Sequence, residues 1–196
     1  MKRSIGARTL AMPAPVWLVG TYDRDGRPNL MTASWAGICC SQPPCVAVSL
    51  RQATHSFAAI QARRAFTIGV PSQAQAREAD FIGTASGAQV DKFAACAWTP
   101  VPSQAVDAPY AAEVPLVLEC RLLHTLEIGL HTQFVGEIVD VKADPAVLDA
   151  EGRPDIRKVQ PLAWDPAGQG YFGIGSPLGK AHDLGRDFGA GPQGGR

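Results

Sequence analysis

Short apolar runs separated by turn signals dominate the first half of the chain. Residues 16–22 (Val16-Trp17-Leu18-Val19-Gly20-Thr21-Tyr22) are apolar and β-prone, and they stop at Asp23-Arg24-Asp25-Gly26. Glycine at that point permits the positive φ of a hairpin turn. Extended character resumes over residues 29–40, and Pro43-Pro44 breaks it, because proline has no N–H for a central ladder. Residues 45–51 predict the next strand. The pattern then switches to helical spacing. Thr54 stands where it can cap a helix reaching Arg64 and carrying Phe57 and Ile60 on one face.

Beyond that helix, residues 65–70 read as a buried strand and residues 73–81 as a second helix ending at Gly83. A loop over 84–94 leads into a short helix with Asp91, Lys92 and Phe93. Residues 101–112, rich in proline and alanine, predict an irregular surface connection. Two long strands follow at 116–126 and 132–142, separated by Glu127-Ile128-Gly129. Val135, Ile138, Val139 and Val141 are β-branched, as a sheet surface prefers. After Asp144 the chain reads as loop, with a short strand near 161–164. Many strands with two or three short helices predict a mainly β, antiparallel barrel. Regular βαβ alternation is missing, as are a G-x-G-x-x-G after the first strand and a fixed-period repeat.

Composition adds an interface to this picture. The 196 residues suit one domain over 1–184, followed by a glycine-rich tail over 185–196 that predicts disorder. Hydrophobic residues reach 46% while charged residues are only 18%. Such a chain buries more surface than usual, in a sizeable core, a subunit interface, or both. Eighteen basic and 18 acidic side chains give zero formal charge. The electrostatic term behind most nucleic-acid binding is therefore missing, and attraction to an anionic membrane is small. No apolar run is long enough for a membrane helix. The basic Met1-Lys2-Arg3-Ser4 is interrupted by Arg8 and Pro13 too soon for a signal peptide, so a cytoplasmic location is expected. The five cysteines are odd in number, with Cys39 and Cys40 adjacent, no CxxC and no zinc spacing. They read as small buried hydrophobes kept reduced; the other reading is a redox-active Cys39 or Cys40.

Four polar groups stand where a plain barrel would not need them. Asn29-Leu30-Met31-Thr32-Ala33-Ser34-Trp35 offers side-chain and backbone donors along one strand, or simply a polar outer face. Ser49-Leu50-Arg51 runs into Thr54-His55-Ser56 at a helix start. Unpaired helix N–H groups and an arginine fork make a natural anion site there; a helix cap beside a solvated arginine is the plain alternative. Ser86-Gly87-Ala88 with Lys92 could bring backbone and a point charge to a phosphate. His131 opens a strand that continues to Gly136-Glu137, where a lone histidine is otherwise structural. Glu119 and Glu137 show no paired-carboxylate pattern, and no nucleophile elbow, H-E-x-x-H or Walker motif occurs. A metalloenzyme or a triad hydrolase is not expected.

Taken together these segments resemble the flavin reductase-like, FMN-binding split-barrel proteins, most closely the flavoredoxin branch. The likeness spans about residues 10 to 180. It is carried by residues 15–21, residues 29–35, Pro43-Pro44, Ser49 to Arg51 with Thr54-His55-Ser56, Phe66-Thr67-Ile68-Gly69-Val70, Asp91-Lys92-Phe93, and His131 with Gly136-Glu137. The resemblance implies a homodimeric Greek-key split barrel with FMN at the dimer interface. Asn29 and the backbone of Met31, Thr32, Ala33, Ser34 and Trp35 would meet the ring edge and ribityl chain. Ser49, Leu50, Arg51, His55 and Ser56 would face the ribityl chain and phosphate, with Ser86 and Lys92 adding to the phosphate grip. His131 and Trp164 would approach the ring, either from the same chain or from the neighbouring subunit of the implied dimer. Trp35 and the segment over 171–185 are placed to cover it. No protein base is required, since the flavin itself accepts electrons. The donor is NAD(P)H in a flavin reductase, or a redox protein in the alternative, a non-enzymatic FMN electron carrier.

Overall fold

In a computed structural model, which describes residues 1–186 and 188, the chain is mainly antiparallel β with short helices. Twelve strands are present among these residues: β1 (Ala14–Pro15), β2 (Trp17–Tyr22), β3 (Pro28–Ala33), β4 (Ala36–Ser41), β5 (Pro44–Arg51), β6 (Ala65–Val70), β7 (Pro100–Pro102), β8 (Pro109–Ala111), β9 (Leu116–Ile128), β10 (His131–Ala143), β11 (Leu162–Asp165) and β12 (Gly170–Gly173). The helices are α1 (His55–Arg63), α2 (Ala76–Thr84), α3 (Lys92–Cys96) and α4 (Ile156–Val159). No helix among the described residues is long and apolar enough to cross a membrane.

Seven strands form one sheet in the order β3-β2-β6-β9-β10-β5-β4. Its two edges, β3 and β4, are consecutive in the chain. From Ala33 to Ala36 the backbone can span at most about 11 Å. Seven strands laid flat would separate their edges by about 29 Å, six spacings of roughly 4.8 Å. The sheet therefore has to curl until its edges approach. Trp35 ties the bridge to the neighbouring strand, its carbonyl accepting the Ser49 N–H at 2.8 Å.

Curling creates an inside and an outside, and both are covered. Inside lie Val19, Val46, Val48, Leu50, Phe66, Ile68, Cys120 and Phe134, closed by Phe57 and Ile60 of α1. Phe57 meets Phe134 edge-on at 5.2 Å. Outside, Val16, Leu18, Leu30 and Val117 pack under Ala79 and Ile82 of α2, Phe93 of α3 and Leu162 of β11. Double coverage explains why β2 reads as a continuous apolar run rather than an alternating one.

Several expectations change. The extended run over 29–40 is two strands on opposite edges, because Ser34 and Trp35 carry the chain across. The second helix begins as a 3-10 turn at Gln73–Gln75 and continues through Gly83 to Thr84. Gly83 is a packing residue rather than a stop: a Cβ there would lie 3.1 Å from the Thr32 Cβ. Thr54 occupies the N-cap position of α1, but its hydroxyl donates to the Arg51 carbonyl instead of capping. Residues 101–112 contain a small hairpin, β7 with β8. The long strands reach nearly to the turn at Gly129 and Leu130. Beyond Asp144, β11 and β12 join β1 in a second, three-stranded sheet. Apart from residues 185, 186 and 188, the tail expectation over 185–196 lies outside the described residues.

Gly20 marks a tight point in the fold. A Cβ there would meet the Pro109 carbonyl oxygen at 2.1 Å and the Thr67 hydroxyl at 2.3 Å, and these two groups are hydrogen-bonded to each other at 2.7 Å. Gly20→Ala should destabilise the protein by about 1–3 kcal/mol in urea unfolding; unchanged stability would show that the hairpin carrying Pro109 yields freely.

Candidate functional site

Where the bridge leaves β3, side chains from six elements converge. A pocket of about 270 Å³ is lined by Met31, Thr32 and Ala33 of β3, Ser34 and Trp35 of the bridge, and Ser49 and Arg51 of β5. Thr54, Asp80, Gly83 and Thr84, His131, Trp164 and Tyr171 complete it. The β10–β5 register sets His131 opposite Arg51. Trp35 lies nearly parallel to His131, with ring centres 6.2 Å apart and planes at 6°. Trp164 tilts against Trp35 at 5.6 Å and 45°. The result is an aromatic wall beside a polar strand edge.

That edge is open for a structural reason. β3 pairs only with β2 among the described strands. The Leu30 carbonyl points off the sheet, since it accepts from the Lys92 ammonium at 2.8 Å. By the two-residue period, the peptide groups of Thr32 face the same way. The Thr32 hydroxyl is committed elsewhere, donating to the Ala79 carbonyl at 2.6 Å and fixing α2 to the edge. Among the described residues Arg51 forms no ion pair, so its guanidinium is free to bind.

Other predicted residues fall elsewhere. Asn29 and His55 line a neighbouring cavity of about 660 Å³ with Asp23, Arg27, Gly87 and Asp91. The Asn29 amide donates to the buried Ser56 hydroxyl at 3.0 Å. A Cβ on Gly87 would fall 2.1 Å from the Asn29 Oδ1, so a side chain there would push the Asn29 amide out of place. Ser86 is exposed and lines neither cavity; its hydroxyl accepts the Ala88 N–H. The Leu50 side chain is in the inner core, 1% exposed, and presents nothing to the pocket. Lys92, read from the sequence as part of the phosphate grip, is buried. Its ammonium donates to the carbonyls of Leu30 and Ile82, because the edge strand and the end of α2 both leave carbonyls without backbone partners there. Two of its three N–H groups are thereby used.

Asp80, Gly83 and Thr84 of the pocket had no signal in the sequence, since they arrive only through the packing of α2 on β3. The Tyr171 hydroxyl donates to the Asp80 carboxylate at 3.1 Å. Burial, and then that carboxylate, push the phenol up to about 12. All five cysteines are free, but only Cys45 and Cys120 are buried as expected; Cys39 and Cys40 are exposed. Burial raises the thiols of Cys39, Cys45, Cys96 and Cys120, with the neighbouring Cys40 adding to the first two. For Cys39, the effect opposes the thiolate that a reactive cysteine needs. Among the described residues no three His, Cys, Asp or Glu side chains gather as a metal site.

Residues 8–172 match the flavin reductase like domain. The chain belongs to the flavin reductase-like family. Flavoredoxin of Desulfovibrio vulgaris (Miyazaki F) shares 54% identity with it and superposes at a TM-score of 0.91, covering 95% of this chain and 100% of that one. Flavoredoxin from Methanosarcina acetivorans gives 29% identity and a TM-score of 0.89 over 95% and 98% of the two chains. By sequence, the reductase component of the 4-nitrophenol 4-monooxygenase/4-nitrocatechol 2-monooxygenase of Rhodococcus opacus is 36% identical over 123 residues, 63% of each chain. The family therefore includes both flavoredoxins and a monooxygenase reductase component among the relatives of this chain.

Lys92 gives a pH signature. Burial draws its ammonium from 10.5 down to about 8, so between those values the unfolded chain holds more protons than the folded one. Stability then rises with pH across that window, and the full burial cost is present below about 8. Unfolding of the wild type measured against Lys92→Met, which has no such group, should show the wild type gaining relative stability from pH 8 to 10.5; parallel curves would mean that the two carbonyls offset the burial.

Proposed function

We propose that this chain binds FMN in the pocket bounded by residues 31–35, Arg51, His131 and Trp164, and passes electrons through it. The convergence of that strand edge, a free guanidinium and three aromatic rings on one pocket, in a chain 54% identical to a flavoredoxin, carries the reading. The donor set fits the cofactor. A flavin ring asks for a flat aromatic surface and N–H donors along its edge, and the phosphate asks for charge-assisted bonds of about 1.5–3 kcal/mol each. Trp35, His131 and Trp164 offer the first, and the outward peptide groups of β3 the second. Arg51 and the start of α1 offer the third. A single-chain volume of about 270 Å³ lies near the lower end of ligand sites, in keeping with a second subunit completing the pocket.

Bound FMN supplies a ring that takes up electrons, as hydride or singly, and gives them back. The residues need only hold, orient and shield it. Outward N–H groups of β3 stabilise negative charge on the ring edge. Trp35, Trp164 and Tyr171 exclude water from its face. Lys92 adds positive charge behind the strand edge while its remaining N–H is available.

Residues 1–184 form the functional domain in this reading, acting as a cytoplasmic homodimer. The exposed Leu126, Ile128 and Leu130 at the β9–β10 tip give a second copy apolar surface to cover. Two electron donors suit the site. NAD(P)H makes the protein a flavin reductase. A reduced redox protein makes it a carrier, and the aromatic cover of the pocket favours that second reading because it narrows nicotinamide access.

The purified protein should be yellow, or become so with added FMN. Anaerobic NADH or NADPH should bleach the flavin band quickly if it is a reductase. Bleaching by dithionite or a reduced redox protein alone indicates the carrier. A colourless protein without affinity for FMN contradicts both.

A further inference from the structure

Asp80 and Tyr171 line the pocket, yet the function above gives their polar groups no task. They come from distant parts of the chain and from separately supported elements. Asp80 is on α2, beside Ala79, whose carbonyl holds the Thr32 hydroxyl of the site edge. Tyr171 is on β12 of the small sheet, directly across from Trp164 of β11. Trp164 in turn rests on Trp35 at 5.6 Å, a distance and tilt at which aromatic pairs attract. Contacts therefore run in a closed circuit round the pocket mouth, from Thr32 through α2, Asp80, Tyr171 and Trp164 to Trp35.

We propose that Tyr171, through its hydrogen bond to Asp80, is a positioning residue that seats Trp164 against Trp35 on the wall of the flavin pocket. The inference rests on the reading of this pocket as a flavin site. β11 belongs to a sheet of only three strands, separate from the seven-stranded sheet that holds Ser49 and Arg51 and whose β3–β4 bridge holds Trp35. Among the described residues, the phenol–carboxylate bond is the side-chain hydrogen bond that joins the small sheet to α2. A carboxylate acceptor makes such a bond stronger than a neutral one. The phenol keeps its proton throughout the neutral range, since burial and Asp80 both disfavour its loss. Losing the bond lets the β11–β12 turn lean away, and Trp164 leans with it. A ring bound beside Trp35 would then lose one wall and its protection from water.

The test uses the full chain and two independent readouts. Trp35 and Trp164 are close enough to give an exciton couplet in far-ultraviolet circular dichroism, assigned by its loss in Trp35→Phe and recorded on flavin-free protein. Flavin fluorescence gives the FMN dissociation constant. Tyr171→Phe keeps the ring and deletes the hydroxyl; it should weaken the couplet and raise the dissociation constant about tenfold. Asp80→Ala, at a solvent-facing helix position, should do the same from the other side of the bond. Asp80→Asn keeps an acceptor oxygen and should restore both readouts. A couplet and a dissociation constant within about twofold of wild type in Tyr171→Phe and Asp80→Ala overturn the proposal. If the wild type binds no FMN, the flavin reading fails by itself. The couplet then decides the positioning role alone: weakened in both variants it stands, unchanged it falls.

Discussion

Residues 34 and 35 alone carry the chain from one edge of the seven-stranded sheet to the other, and that short tether governs the rest of the molecule. It forces the sheet to curl, which gives an interior for Phe66, Phe134 and the face of α1. It also leaves β3 as an edge strand whose outward peptide groups have no strand to pair with. An unpaired strand edge is ordinarily a hazard, since it invites pairing with other chains. Here it is occupied piece by piece. Lys92 takes the Leu30 carbonyl, α2 takes the Thr32 hydroxyl, and the remaining donors face a pocket.

The same tether brings the chemistry together. Trp35 sits in the bridge itself, so the turn from β3 to β4 delivers an indole beside the end of β5, where Ser49 and Arg51 lie. Antiparallel pairing of β5 with β10 then places His131 opposite Arg51. None of these residues is adjacent in sequence to all the others; the strand order makes them neighbours. The second sheet contributes Trp164 from outside. The proposed flavin reading asks for a rigid polar edge and an aromatic face, and the pocket brings the two together.

Much of the architecture was legible because the local signals were strong. Asp23 to Gly26 marks a turn, the β-branched positions of β10 mark a strand, and residues 65–70 form a strand as read. Legibility failed where tertiary packing overrode local pattern. Gly83 looked like a helix stop, but it lies inside the helix, where a Cβ would press on Thr32 at 3.1 Å. Residues 29–40 look extended throughout, and nothing local shows that Ser34 and Trp35 change edges. The polar residues of 31–35, Ser49, Arg51 and His131 stand out as groups a plain barrel does not need, the family resemblance joins Trp164 to them, and they line one pocket. Lys92 shows the limit of reading charge from sequence. A lysine beside a helix start looks available to a phosphate, and only the carbonyls left over by an edge strand and a helix end explain its burial.

β3 contributes to two cavities, its first residues to the larger and its last to the smaller, and the functional reading chooses the smaller. Amide chemical-shift mapping in an FMN titration decides between them most directly. The account predicts saturable shifts concentrated at residues 32–35, 49–51, 131 and 164. Shifts confined to Asp23, Gly87 and Gln89, or no saturable response at residues 32–35, would contradict it.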